Sequence, residues 1–512
     1  MTGSNHNLTD RPRIKPSGRD LLLLSLCSAL PRIIGALWLP NAFGDAYAYT
    51  EQIYYMRRAL LLGTFSWSNL FGFWLPLYQF ICALISSVVG NPFYVPKLVS
   101  ALAGAGVCVL VFLLTLELTE NRRFSLASFA LIAFNPYHVL YSTSAMTDVP
   151  HICAILLCGY CCIKSRWFLA TCFALAAGLM RVESWSLVVI IPLLQLLRER
   201  KVSVLGCVVL LVGPTFWLYV SWVVGGSPWK YFQIRNEYIV QTLAANPALA
   251  LFTFRRIALD VVRLIYTANP VVILVCCTTV LLRYQRQGLR RWREISGSDV
   301  ILVFFFANLA FLLLAYFTKN QPEIWPRYGL IFFALGLPIL ADYVQRYQVK
   351  QPHYFSRLAV VVLALQFCIQ LVDATRITLK NDSNQLAAQF LGDKRITDPS
   401  LKVYCEDGAI RVLSGIPLEE FMDQYNSPTD TESFLKSLRE KQVRLLIYKD
   451  LPGSRLGVIV RKIQDGHSGV TLEEVVLKPG RKLSEQVVIY RVHGNEVAVK
   501  QRPDRTRHTA PR

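Results

Sequence analysis

Four charged residues stand beside apolar runs where charge is costly: Asp45 in NAFGDAY, Asp148 in YSTSAMTDVPH, Arg181 in LMRVESW and Arg327 in WPRYGL. Ionisable groups in such places are few and usually have a task. Guanidinium groups hold phosphate as two-pronged donors, and a carboxylate placed beside a hydroxyl removes its proton. Two arginines converging with two carboxylates therefore describe a site for an anionic lipid head group and an acceptor hydroxyl. Each residue also has a plainer use. Asp45 and Asp148 could cap helices, Arg181 and Arg327 could snorkel to an interface, and Glu183 could simply pair with Arg181. His151, a turn beyond Asp148, is either a metal or phosphate ligand or a satisfied interface residue.

These residues need elements to position them. The 512 residues are 53% hydrophobic and only 17% charged, with mean hydropathy +0.37. That excludes a soluble globular enzyme, a disordered chain and a nucleic-acid binder as first readings. Residues 1–376 hold 32 Lys/Arg and 16 Asp/Glu, and residues 377–512 hold 22 and 18. The first part reads as membrane and the second as ordinary soluble composition. The chemistry above predicts no nucleic-acid partner despite the net charge of +20.

Apolar runs predict about eleven transmembrane helices at 21–39, 95–117, 124–142, 148–163, 166–181, 185–198, 203–224, 260–282, 299–317, 327–345 and 357–375. Arg11, Arg13, Lys15 and Arg19 precede the first, and Arg122/Arg123, Lys164/Arg166, Arg198/Arg200/Lys201, Arg283 to Arg293 and Arg346/Lys350 fall in every second connector. The positive-inside bias puts the N-terminus inside and, after an odd number of crossings, the C-terminal part outside. The segment 72–90 is apolar enough to span, but crossing there would invert several basic connectors; it is expected to be a helix embedded in the outer interface, like the Tyr-rich stretch 46–62. On this topology Asp45, Asp148, Arg181 and Arg327 share the outer side.

The expected organisation is a cytoplasmic tail (1–20), a membrane domain (21–376), an extracytoplasmic α/β domain (377–496) and a disordered basic tail (497–512). In the α/β domain 402–407, 444–450 and 485–493 read as strands and 431–442 as an amphipathic helix. The first apolar segment has no small-residue cleavage site and is expected to be retained. Of thirteen cysteines only Cys405 lies in the external domain, so no disulfide framework is expected there. Cys158, Cys161 and Cys162 read as small packing residues on a helix.

In order, Arg32 in the first helix, Gly44-Asp45-Ala46 opening an interfacial helix, WLPLY at 74–78, Asp148 after YSTSAMT, RVESW at 181–185 and WPRYGLIFFALGLPIL at 325–340 resemble the integral-membrane glycosyltransferases of the GT-C superfamily. The likeness is strongest to the branch of glycosyltransferase family 39, similar to the dolichyl-phosphate-mannose protein mannosyltransferases and the lipid A aminoarabinose transferases. It implies a polytopic α-helical GT-C-like fold, a polyprenyl-phosphate sugar donor, an outward-facing site, and Asp45 as catalytic base with inversion at the anomeric carbon. Asp148, His151, Arg181, Glu183, Arg327 and Tyr328 are the residues expected to bind substrate, and the acceptor is expected to be a protein hydroxyl, a glycan or a lipid. Many relatives carry Asp-Glu where this chain has one acid, so metal dependence stays open, with Asp45 and Asp148 the candidates for a divalent ion. The external domain is expected to bind acceptor or cover the site. Basic connectors and the lack of disulfides favour a plasma (inner) membrane over the endoplasmic reticulum. The competing readings are a transporter of an anionic or lipid-linked solute and a non-catalytic scaffold of the same fold.

Overall fold

The computed structural model describes residues 16–245, 253–287, 295–321, 323–347, 353–379, 382–423, 427–428, 430–449, 455–464, 470–475 and 487–494. The basic residues Arg11, Arg13, Lys15, Arg290, Arg291, Arg293 and Lys350 and the tail 497–512 lie outside them. The chain divides into two units, Met1–Thr378 and Leu379–Arg512.

In the first unit α1 (Gly18–Trp38) begins at a capping box: Ser17 Oγ accepts from the Asp20 amide at 3.1 Å and Asp20 accepts from the Ser17 amide at 3.3 Å. After it come α2 (Gly44–Leu61), α3 (Trp67–Leu70), α4 (Leu77–Val89), α5 (Val95–Thr119), α6 (Arg122–Ala133), α7 (Pro136–Ser142), α8 (Asp148–Ile163) and α9 (Trp167–Gly178). A 3-10 turn at Val182–Ser186 leads to α10 (Leu187–Glu199), α11 (Val204–Gly225), α12 (Lys230–Ala245), α13 (Phe254–Ala268), α14 (Pro270–Gln287), α15 (Gly297–Phe317), α16 (Arg327–Tyr347) and α17 (His353–Leu379). Among the described residues six helices, α1, α5, α11, α15, α16 and the 360–378 part of α17, are each long and apolar enough to cross a membrane, and the bent pair α13–α14 adds a seventh if it is counted as one broken span. The other expected spans are helices too short to cross unaided or, at 124–142, two helices.

Contacts sort the helix ends onto two faces. Arg122 pairs with Asp20 at 2.7 Å, Lys164 with Glu117, Gln345 Nε2 donates to the Thr119 carbonyl at 2.8 Å and Arg198 donates to the Cys162 carbonyl at 2.6 Å. The connectors carrying these basic residues therefore share one face. At the opposite ends, Ala145 N donates to Asn41 Oδ1 at 2.8 Å and Leu77 N to the Leu179 carbonyl at 3.2 Å. The helix α4 has only 13 residues, short of the roughly 20 a crossing needs. It starts beside the end of α9 and leads into the start of α5, so it enters and leaves on one face.

Two expected spans are corrected. The run 124–142 is broken at Asn135-Pro136, because Pro136 offers no amide and biases Asn135 toward extended backbone; Asn135 instead caps α7, its Oδ1 accepting from His138 N at 2.8 Å. The run 260–282 turns through 89° at Asn269, whose φ of +73° precedes Pro270. Its Oδ1 accepts from Val271 N at 2.9 Å, so the side chain caps the next helix.

Both breaks are supported from elsewhere. Arg32, buried in the middle of α1, donates to the Ser28 carbonyl at 2.8 Å, to the Ala133 carbonyl at 3.0 Å where α6 ends, and contacts His138 Nδ1 at 2.8 Å. Along α17, Gln366 and Gln370 are buried while Val360, Val361, Leu365, Phe367, Ile369, Leu371 and Val372 are exposed. The buried stripe is polar. Gln370 accepts from Asn135 Nδ2 at 2.9 Å, Asp373 accepts from the Tyr137 hydroxyl, Gln366 accepts from Asn269, and Gln366 Nε2 donates to the Tyr266 carbonyl at 2.8 Å. Groups freed at the two breaks thus find partners on one helix, as the lack of water in a bilayer demands.

The second unit contains α18 (Asp382–Thr397), β1 (Val403–Cys405), α19 (Gly408–Leu413), β2 (Phe421–Met422), α20 (Thr431–Glu440), β3 (Leu445–Lys449), α21 (Arg455–Gln464), β4 (Val470–Val475) and β5 (Val487–Gly494). The sheet order is β2-β1-β3-β5-β4, with β1 parallel to β2 and β3, and β5 antiparallel to β3 and β4. Alternation sends Tyr404, Leu446 and Tyr448 to one core with Phe434 and Ile459, and Val403, Cys405, Leu445 and Ile447 to another with Leu391 and Ile410. A sheet covered on both faces explains why β1 and β3 read as continuous apolar runs.

Candidate functional site

The first and second outer loops are stitched together before any charge is considered. Besides the Asn41–Ala145 bond, Ala42 N donates to Ser144 Oγ at 3.3 Å, and Phe43 stacks on Tyr141 with ring centroids 4.3 Å apart. Lys97 at the start of α5 donates from Nζ to the Leu39 carbonyl. The end of α1 and the start of α8 are thereby held together, although they are a hundred residues apart.

On this frame Asp45 lies in the first turn of α2 and Asp148 in the first turn of α8. Neither is a cap; the N-cap positions belong to Phe43 and Thr147. Asp45 accepts from Arg327 at 2.6 Å and Asp148 accepts from Arg181 at 2.8 Å. The other prong of Arg181 reaches Glu183 at 2.8 Å. Tyr328 lies between the two cations, its ring centroid 5.5 Å from the Arg181 guanidinium and 5.6 Å from that of Arg327. Asp45, Arg327, Tyr328, Arg181, Asp148 and Glu183 therefore form one continuous chain. His151 is buried, its Nε2 2.7 Å from Ser184 Oγ.

The two aspartates differ in access. The Asp45 side chain is 41% exposed and that of Asp148 only 6%. Arg327 Nε is buried and has no hydrogen-bond partner among the described residues. Glu183 shows the electrostatics at the closed end: burial pushes its carboxyl up, but the charge and hydrogen bond of Arg181, followed by the charge of Arg235, outweigh that and hold it at about 2. The residue placing Arg327 is Gly329, where an added Cβ would lie 1.9 Å from Thr267 Oγ1 and 2.8 Å from the Ala268 amide nitrogen. Only glycine lets α16 approach the end of α13 this closely.

Asp45 and Asp148 are each engaged by an arginine, and among the described residues no group of three or more His, Cys, Asp or Glu side chains is placed to hold an ion.

The same arrangement of helices occurs in the crystal structure of ArnT from Cupriavidus metallidurans in the apo state, with TM-score 0.57 and 13% identity over 92% of this chain and 97% of that one. This chain has the fold of ArnT. ArnT bound to undecaprenyl phosphate gives TM-score 0.55 and 12% identity over 93% and 98% of the two chains. No family model and no curated protein matches the sequence. The polytopic GT-C-like fold with a small C-terminal sheet domain, expected from the residues, is therefore found.

Two residues near the charged chain escaped the sequence reading. Tyr49, one turn beyond Asp45 on α2, is buried against Trp74 with ring centroids 4.5 Å apart, and burial followed by the charge of Asp148 raises its hydroxyl well above the ordinary tyrosine value. Its i, i+4 spacing from Asp45 was the available signal. Arg235 comes from α12 to act on Glu183 and Tyr231. Nothing in the local sequence marks it, because α12 reads only as a mixed polar and aromatic stretch.

Proposed function

We propose that the chain is a membrane glycosyltransferase that moves a sugar from a polyprenyl-phosphate carrier to an acceptor hydroxyl by inverting displacement, with Asp45 as base. One observation carries the reading. The exposed carboxylate of the charged chain is Asp45, and it is bonded to an arginine that keeps a buried donor in reserve. The ArnT structure with undecaprenyl phosphate supports a lipid of this class as donor carrier.

In the resting arrangement Arg327 holds Asp45. A donor phosphate entering beside Arg327 competes for its guanidinium and leaves Asp45 free to meet a hydroxyl. The acceptor oxygen then attacks the anomeric carbon, its proton passes to Asp45, and the bond from that carbon to the phosphate oxygen breaks with both electrons going to the phosphate. Arg181 and Arg327 stabilise the charge that develops. Asp148 and Glu183 hold Arg181 in place, and Tyr328 spaces the two cations. The acceptor is a protein hydroxyl, a glycan or a lipid on the outer side of a plasma membrane.

The test is transfer of label from a panel of radiolabelled polyprenyl-phosphate sugars in membranes, comparing native protein with Asp45→Asn at matched amounts. Transfer by the native protein alone upholds the reading and identifies the sugar. If no donor is used although polyprenyl phosphate binds, a transport or scaffold role replaces it.

A further inference from the structure

On the face opposite the candidate site lies a cavity of about 330 Å³ between the ends of α5, α8, α10, α15 and α16. Two of these helices connect the faces. Asp148 opens α8 and Lys164 follows its last residue; Arg327 opens α16 and Arg346 stands at its end. At about 1.5 Å per residue the cavity is some 24 to 30 Å from the charged chain. It belongs to no part of the proposed transfer site.

Its walls carry Lys164, Arg198 and Arg346, the hydroxyls of Ser296 and Ser298, and one carboxylate, Glu117. Glu117 pairs with Lys164, and Asp342 behind the wall accepts from Arg346 Nε at 2.8 Å and from the Ser298 hydroxyl at 2.8 Å. Arg198 has no carboxylate partner among the described residues; its fork spans the Cys162 and Ile163 carbonyls at 2.6 and 3.2 Å. The terminal nitrogens of Arg346 make no bond among the described residues, and its side chain is 56% exposed. The first turn of α15 also borders the space, but its end is already capped by Asp299, which accepts from the Ser296 amide at 2.7 Å and pairs with Arg283, so the excess charge comes from the side chains. Three cations against one lining carboxylate, with an open guanidinium fork, describe a receptor for a phosphate group.

We propose that this pocket binds the phosphate of an anionic glycerophospholipid from the leaflet on the basic-connector face. Basic pockets between transmembrane helices on that side characteristically take acidic headgroups. The position favours a lipid over a soluble phosphate, because the cavity lies where helices leave the hydrocarbon and Leu118 and Ile163 supply apolar walls next to the polar ones.

The experiment is native mass spectrometry of the full chain in detergent, titrated with phosphatidylglycerol or phosphatidylcholine, reading the affinity of the first lipid retained. Phosphatidylglycerol is expected to bind more tightly, and Lys164→Gln with Arg346→Gln to weaken it about 25-fold, about fivefold per cation. Glu117→Gln removes the competing carboxylate and is expected to tighten binding about fivefold, a direction that loss of packing alone does not give. This single variant decides the matter if the double variant fails to fold. Equal retention of the two lipids, or no tightening in Glu117→Gln, overturns the proposal. So does displacement of the lipid by millimolar inorganic phosphate, which would assign the pocket to a soluble ion.

Discussion

Asp45 and Asp148 are both aspartates on arginine, but their surroundings separate what each does. Replacing Asp45 with Asn keeps an acceptor oxygen for Arg327 and removes a charge that is 41% exposed. Pairs that open to solvent contribute up to about 1 kcal/mol. Stability should change by less than that, whereas loss of a general base lowers the rate by about 10² to 10⁴. At Asp148, only 6% exposed, the balance reverses. Removing one partner of a buried pair costs about 3 to 5 kcal/mol when the other is left alone; Arg181 retains Glu183 at 2.8 Å, so about half of that, roughly 2 kcal/mol, is expected. Thermal unfolding of purified Asp45→Asn, Asp148→Asn and native protein, alongside polyprenyl-phosphate sugar transfer in the same preparations, measures both quantities. Asp45→Asn should unfold with the native protein and transfer at under a hundredth of its rate; Asp148→Asn should unfold several degrees lower. Transfer by Asp45→Asn within tenfold of native, or an Asp148→Asn unfolding curve superimposed on the native one, would refute the reasoning.

Three other outcomes are expected. Gly329→Ala forces a Cβ onto Thr267 and the Ala268 backbone and should destabilise by about 1 to 3 kcal/mol, with Thr267→Ala restoring only part because the backbone contact remains; thermal unfolding of the single and double variants checks this. The Glu183 carboxyl is depressed in the folded protein, so its contribution is complete above the ordinary value of 4.5 and is lost as pH falls toward about 2; the loss of thermal stability between those pH values should be smaller in Glu183→Gln. Since the aspartates are held by arginines, transfer activity should be unchanged by EDTA and by re-addition of divalent ions; a loss that magnesium or manganese restores would show that donor binding rebuilds the site around a metal.

Charge patterning made the membrane topology legible. The alternation of basic connectors anticipated that Arg122, Lys164, Arg198 and Arg346 share a face, and it identified α4 as a helix that does not cross despite its hydropathy. Asp45, Asp148, Arg181, Glu183 and Arg327 were legible as charged exceptions in apolar surroundings and Tyr328 only through the family resemblance, and the structure joins them in one chain. Helix breaks were hidden. A window of apolar residues averages across Asn135-Pro136 and Asn269-Pro270, although each Asn-Pro pair was the local warning. Arg235 was hidden for another reason, since its role depends on α12 meeting the turn that carries Glu183, a long-range pairing with no periodic signature. In the second unit β2 has two residues and, among the described residues, pairs only with β1, too little sequence to register as a strand.

The polar stripe on α17 bears on the order in which the membrane unit is completed. During synthesis α7 and the α13–α14 bend enter the bilayer well before residue 366 has been made, so the Tyr266 carbonyl and the Asn135 and Asn269 amides wait for partners not yet translated. Until α17 arrives they must draw on water or on the insertion machinery. A chain halted before residue 353 would hold every residue of the charged chain and still lack the helix that settles both breaks.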